Sequence, residues 1–200
     1  MAFMSMAPGS YKHNKVIAPS LQSGPVSLIG RVVCLPHKNT DGPQTMECAF
    51  GFRDYQGTYY ALRDTDPEYK NISNASMDSF VTIHGNLKPE SSDRYQSVGV
   101  IDIFRIDSKE DPEVSVKGTN ICLPHIDKTM QSKECAMGIR TEGGVNYALD
   151  LSRYTQMAPG PRVGDILQVT GTLTANTEQF EKYDVFGVLS VTGSVVVSRE

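Results

Sequence analysis

Apolar residues fall along the chain in short runs rich in Val, Ile, Tyr and Phe, each bounded by clusters of Gly, Pro, Asn or Asp. No stretch carries the 3.6-residue apolar period of a long amphipathic helix, so the pattern predicts strands. They fall near 27–34, 48–54, 58–63, 79–87 and 96–106, then near 115–122, 135–140, 145–151, 165–173 and 185–197. Asp54-Tyr-Gln-Gly57 and Thr141-Glu-Gly-Gly144 supply turns between the second and third strands of each set, where glycine adopts positive φ without steric cost. About 15 residues separate the third and fourth strands, including Asp66-Pro67 and Pro159-Gly160-Pro161, enough for a single helical turn.

The two sets of strands are two copies of one pattern. Gly30-Arg-Val-Val-Cys34-Leu-Pro-His37 returns 88 residues later as Gly118-Thr-Asn-Ile-Cys122-Leu-Pro-His125. Glu47-Cys48-Ala-Phe-Gly-Phe-Arg53 pairs with Glu134-Cys135-Ala-Met-Gly-Ile-Arg140, and Tyr60-Ala-Leu62 with Tyr147-Ala-Leu149. Val81 to Leu87 then pairs with Leu167 to Leu173, and Tyr95...Gly99-Val-Ile101 with Tyr183...Gly187-Val-Leu189. Repeats this long are domains, each with its own core, rather than solenoid turns. The expected organisation is an N-terminal arm over 1–24, a first unit over 25–107, a polar linker over 108–114 and a second unit over 115–200.

Reading one copy against the other predicts which way side chains face. Phe50 and Phe52 exchange for Met137 and Ile139, so this parity of the second strand points to a core. Ala49, Gly51 and Arg53 then point outward, as do Ala136, Gly138 and Arg140. Tyr60 and Leu62 face in, whereas Tyr59, which becomes Asn146, faces out.

Five short strands per unit, a glycine in the first that could host a bulge, and a long first loop describe a small closed barrel. The expected fold class is all-β, with two tandem five-stranded OB-like Greek-key barrels, because the pattern resembles the OB-fold, in which the second and third strands and their loops bind the ligand. The C-L-P-H...E-C-A-[FM]-G-[FI]-R stretch, the later G-[NT]-L and the closing Y-x2-[VF]-G-V-[IL] are similar to uncharacterised cysteine-containing OB-like domains of small exported or membrane-anchored bacterial proteins. That resemblance implies no particular activity.

Composition and charge narrow the function classes. Hydrophobic residues at 39% and charged residues at 21% belong to a globular chain, not a disordered one. No apolar run approaches the ~18 residues of a membrane span, and the opening MAFMSMAPGSYKHNK lacks the apolar centre of a secretory signal. The net charge of −4 divides as +2 over 1–24, −4 over 25–112 and −2 over 113–200. Two net-acidic units start at an electrostatic disadvantage against nucleic acid.

Candidate chemistry concentrates in the first loop of each unit. Cys34, His37, Gln44, Glu47 and Cys48 recur as Cys122, His125, Gln131, Glu134 and Cys135. A hairpin brings Cys34 beside Cys48 and Cys122 beside Cys135, at a separation that allows disulfides. An irregular strand end would be needed, since parity places Cys48 and Cys34 on different sides. The same residues also allow a zinc site in each unit, from Cys34, His37 and Cys48 or from Cys122, His125 and Cys135, with a glutamate or water as fourth ligand. Reduced core thiols are the third alternative. Disulfides would indicate an extracytoplasmic protein even though this chain shows no signal peptide.

Other features carry less chemistry. Tyr55, Tyr59 and Tyr95 could stack bases, and Arg53 and Arg140 could meet an anion on the face of the second and third strands. His84 becomes Thr170, and Asp64, Asp66 and Glu68 lack a counterpart in the second unit, so both read as surface features. Asn71-Ile-Ser73 and Asn74-Ala-Ser76 match the glycosylation pattern. No nucleotide-binding, metalloprotease or nucleophile-elbow motif is present, and no enzyme is expected. The first functional expectation is a non-enzymatic binding or adaptor protein without cofactor, acting on an unknown protein or oligomeric ligand through His37, Arg53, Tyr55, Tyr59, His125 and Arg140. A single-stranded nucleic-acid binder and a zinc protein are the alternatives.

Overall fold

A computed structural model describes residues 22–39, 47–68, 70–73, 75, 77, 79–108, 111–129, 134–154 and 161–198. The expected arm up to residue 21, and Gln44 and Gln131 of the first loops, lie outside the described residues. The fold is all-β. The first barrel comprises β1 (Gly24–Cys34), β2 (Phe50–Asp54), β3 (Tyr59–Asp64), β4 (Val81–Lys88) and β5 (Val100–Ser108), with a helical turn α1 (Lys70–Ser73) between β3 and β4. The second comprises β6 (Glu113–Cys122), β7 (Met137–Thr141), β8 (Asn146–Asp150), β9 (Ile166–Thr174) and β10 (Gly187–Ser198). A 3-10 turn over Glu178–Phe180 precedes β10.

Both barrels close, with the strand order β1-β2-β3-β5-β4 in the first and the same order, β6-β7-β8-β10-β9, in the second. All pairings are antiparallel except β3 with β5 and β8 with β10. Strand β1 serves two neighbours, pairing with β4 up to Gly30 and with β2 from Gly30 onward, and β6 does the same at Gly118. At Gly30 a Cβ would meet the Arg53 carbonyl and the Phe52 ring, so a glycine is what lets the strand bend this close to its neighbour. The bulge expected in the first strand is absent there; register shifts occur at His84/Gly85 and along β10.

The facing read from the repeat holds at the barrel centres. Phe52 and Ile139 are completely buried, and Tyr60 and Tyr147 are buried with them. The first core gathers Val32, Phe52, Val81, Ile83, Ile101 and Ile103. The second gathers Val116, Ile139, Tyr147, Leu167, Leu173 and Leu189. Burial, followed by the nearby Asp54 carboxylate, pushes the Tyr60 hydroxyl up to about 12, and burial likewise raises that of Tyr147. Phe50 departs from the expectation: it shares the inward parity but lies at the barrel mouth and is 48% exposed. Parity sets direction, and the end of the barrel sets how much cover that direction provides.

The barrels touch through their hairpin turns. Gly57 and Gly144 hold positive φ in equivalent turns. A Cβ on Gly57 would stand 2.7 Å from the Gly143 carbonyl oxygen, so the two turns approach backbone to backbone. Thr141 donates its hydroxyl to the Gln56 carbonyl at 2.9 Å, and Tyr147 donates its hydroxyl to the Tyr55 carbonyl at 2.8 Å. Phe80 of the first barrel belongs to the core of the second.

Candidate ligand seat on the first barrel

The two cysteine loops fold as clamps, built alike in both barrels. Cys34 is bonded to Cys48 and Cys122 to Cys135, with Cα atoms 5.1 and 5.0 Å apart. Cys48 precedes β2, so strand parity does not govern it, and the irregular strand end joins the pair. The next residue, Leu35, turns back over the outer side of β2: its N–H donates to the Ala49 carbonyl, and its side chain occupies the space that a Cβ on Gly51 would need. Leu123 treats Gly138 in the same way. Gly51 and Gly138 therefore point outward as expected, but are covered by a leucine instead of being free for a ligand.

The histidines complete the clamp. His37 forms a single antiparallel bridge with Tyr95, and His125 with Tyr183, tying each first loop to the segment before the last strand. The rings lie 4.7 Å apart between centroids in both pairs. The Pro36 carbonyl accepts from the Gln96 N–H, and the Pro124 carbonyl from the Asp184 N–H. With their sulfurs joined in disulfides, Cys34, Cys48, Cys122 and Cys135 present no thiolate to a zinc ion, and among the described residues no group of three or more acidic, His or Cys side chains is placed to hold a metal.

The expected binding face of β2 and β3 in the first barrel is partly occupied by the second barrel. Arg53 lies 5.1 Å from the Tyr59 ring and 4.9 Å from that of Phe186, between the two. Arg31 stands 5.3 Å from the same Phe186 ring and donates to the Phe186 carbonyl at 3.2 Å. Tyr55 packs against the second core. Arg53 and Tyr55 thus take part in the contact between barrels, with Tyr59 packed beside Arg53, and all three side chains remain half-exposed. In the second barrel Arg140 stays exposed and donates to the Asn146 side chain at 2.9 Å. Phe186, the aromatic position of the closing motif where the first unit has Val98, was the available signal for this contact.

What opens instead is a cavity of about 540 Å³ on the first barrel. The clamp contributes Leu35 and Ala49, β3 contributes Ala61 and Leu62, α1 contributes Ile72, and the β4–β5 segment contributes Tyr95. Phe50, exposed at the end of the barrel, also lies at its wall. Asp64 anchors α1: its carboxylate accepts from the Asn71 side chain at 2.8 Å and from the N–H groups of Asp66 and Ile72. Partial burial opposes the charge, but these hydrogen bonds hold the Asp64 carboxyl below the usual range. Asp66 likewise accepts from the Glu68 N–H, so the acidic loop is ordered by its own carboxylates. The Asn71 amide is committed to Asp64, so glycosylation there would break the anchor; Asn74 lies outside the described residues.

In the sequence Phe50 and Leu62 read as core positions and Ala49 as an outward one, so no local pattern joins them with Tyr95 and the acidic loop into one cavity. The signal lay in the repeat, at a position where the copies differ: three residues before the shared tyrosine, the first unit has Ser92 and the second Phe180. No helix among the described residues is long and apolar enough to cross a membrane. The chain matches no protein-family model, and no curated protein matches it in sequence.

Proposed function

We propose that this is a non-enzymatic binding or adaptor protein made of two disulfide-stapled OB-like barrels, in which the first barrel carries the ligand seat and the second supports it. The observation behind the reading is the apolar cavity of about 540 Å³ bounded by the disulfide clamp, β3, α1 and Tyr95. Its size falls among small-molecule and side-chain pockets, and its walls are mainly apolar with a few hydroxyls, the composition such sites have. The strand order supports an OB-like reading, and in such barrels the loops beside β2 and β3 are the usual contact region. Phe186 of the second barrel packs on Arg53 of the β2–β3 face, which favours the clamp cavity as the seat. Two disulfides favour an extracytoplasmic setting. Nucleic acid is the less favoured partner, since Arg31 and Arg53 are engaged with Phe186 and Tyr55 packs against the second core.

A fluorine-NMR screen of small neutral aliphatic and aromatic fragments tests the reading on the intact chain. Broadened fragment signals with the natural protein, restored by Ala61→Leu, are expected. A library that gives no broadening, or broadening that Ala61→Leu leaves unchanged, would overturn it.

A further inference from the structure

We infer that the first-barrel cavity seats a phenylalanine side chain presented by a partner polypeptide. The inference rests on the binding-module reading and names what the seat takes.

The second barrel supplies the template. There, Leu123, Ala148, Tyr183 and Val188 are buried together, and Phe180 packs against them from the 3-10 turn that precedes Tyr183. The first barrel places Leu35, Ala61, Tyr95 and Val100 in the corresponding positions: Ala61 pairs with Val100 across the parallel strands as Ala148 pairs with Val188. Leu35 and Leu123 lie over equivalent glycines, and Tyr95 and Tyr183 carry equivalent histidine contacts. The difference is the ring. Ser92 stands where the second barrel has Phe180, and its hydroxyl accepts from the N–H groups of Arg94 and Tyr95, so a hydrogen bond turns the segment where an apolar anchor does so in the other copy.

Without that ring, the half-exposed Ala49, Ala61 and Tyr95 line a cavity together with Ser92 and the buried Leu35. Apolar walls of this kind gain most from an apolar occupant, and a site shaped to receive a ring in one copy is shaped to receive a ring in the other. The volume exceeds a single ring, leaving room for the main chain that carries it, with the hydroxyls of Ser73, Ser92 and Tyr95 on the wall as hydrogen-bonding groups. Charge selects a neutral occupant. Arg63, the cation at the wall, lies 2.7 Å from Glu90 and 3.3 Å from Asp102, and the remaining charge is the Asp64 carboxylate. A free carboxylate therefore finds no unengaged cation there, whereas a side chain within a peptide carries none.

The test uses the full chain labelled with nitrogen-15 and three probes: N-acetyl-phenylalaninamide, N-acetyl-leucinamide and N-acetyl-phenylalanine with its free carboxylate. Saturable shifts of the Ala61, Leu62 and Tyr95 amides by the phenylalaninamide are expected, with Ala148 and Tyr183 unmoved as internal controls. Both other probes should bind more weakly, and Ala61→Leu should weaken the phenylalaninamide by about tenfold or more. Ser92→Phe, which fills the seat from within, should do the same, so that misfolding of one variant leaves the other to decide. Leucinamide binding as tightly as phenylalaninamide would overturn the aromatic assignment while leaving the binding-module reading in place. Shifts that survive both filled variants would overturn the location. Absence of shifts with all three probes would overturn the inference, and the neutral-fragment screen then judges the broader reading separately.

Discussion

The guanidinium of Arg53 lies 4.9 Å from the ring of Phe186, a contact between barrels made by a strand cation that the repeat alone places on an open surface. Phe186 also meets Phe80 edge-on at 5.6 Å and Tyr147 at 6.1 Å, so one side chain links the inter-barrel cations to the second core.

Phe186→Ala should therefore uncouple the barrels as well as loosen one of them. We expect a loss of about 2–3 kcal/mol, below the cost of a fully buried phenylalanine because this ring is half-buried. Calorimetry should show one melting transition becoming two. A single transition with an unchanged midpoint would mean that the contact contributes nothing to coupling.

Gly51→Ala should destabilise the first barrel by about 1–3 kcal/mol, because the new methyl runs into Leu35 and approaches the Tyr60 carbonyl. Leu35→Ala in the same chain should restore part of that loss, a coupling that urea unfolding of the four members of the cycle measures directly. Simple additivity would show that the leucine does not cover the glycine in solution.

The cysteines should resist alkylation in the denatured, unreduced protein, and all four should react after reduction. Replacing Cys34 and Cys48 together by Ser should cost on the order of 3 kcal/mol, as the chain-entropy model gives for a loop of this length. The effect should be confined to the first barrel, which residue-resolved amide exchange reads.

Acid should loosen the cavity wall before it unfolds the barrels. Asp64 is held below its ordinary value, so its contribution is complete above the unfolded value of about 4 and fades as the pH falls through the lowered folded value. The Ile72 amide resonance should follow that titration, with a midpoint below the usual carboxylate range. In Asp64→Asn the pH dependence should vanish, while α1 is looser at every pH.

Much of this architecture can be read from residues alone because it depends on local periods and on comparison between the copies. The alternation of Phe52 and Tyr60 with their neighbours marks the cores, and the spacing of Cys34 and Cys48 across a hairpin brings them within bonding reach. What escapes such a reading is set by distant segments. Arg53 looks like a surface cation until Phe186 arrives from another barrel, and Gly51 looks open until Leu35 folds over it. The pairing of His37 with Tyr95 and of His125 with Tyr183 escapes a local reading because the partners lie far along the chain. The cavity is the hardest to foresee: Ser92 lines it where the other copy has Phe180, and such a difference is visible only when the two copies stand side by side.

Closure of both barrels bears on how other molecules can approach. With β4 joined to β1 and β9 to β6, both sheets close, and the edges left with one partner are strand ends that run past the closure, such as Gly24–Ile29 of β1, which pairs with β4 alone. An extended chain finds only these short ends to pair with and no complete outer strand, which narrows the commonest sequence-indifferent route to self-association. Recognition falls chiefly to side chains, which makes it editable: a single residue swap can grant or withdraw a contact without disturbing the backbone ladder beneath.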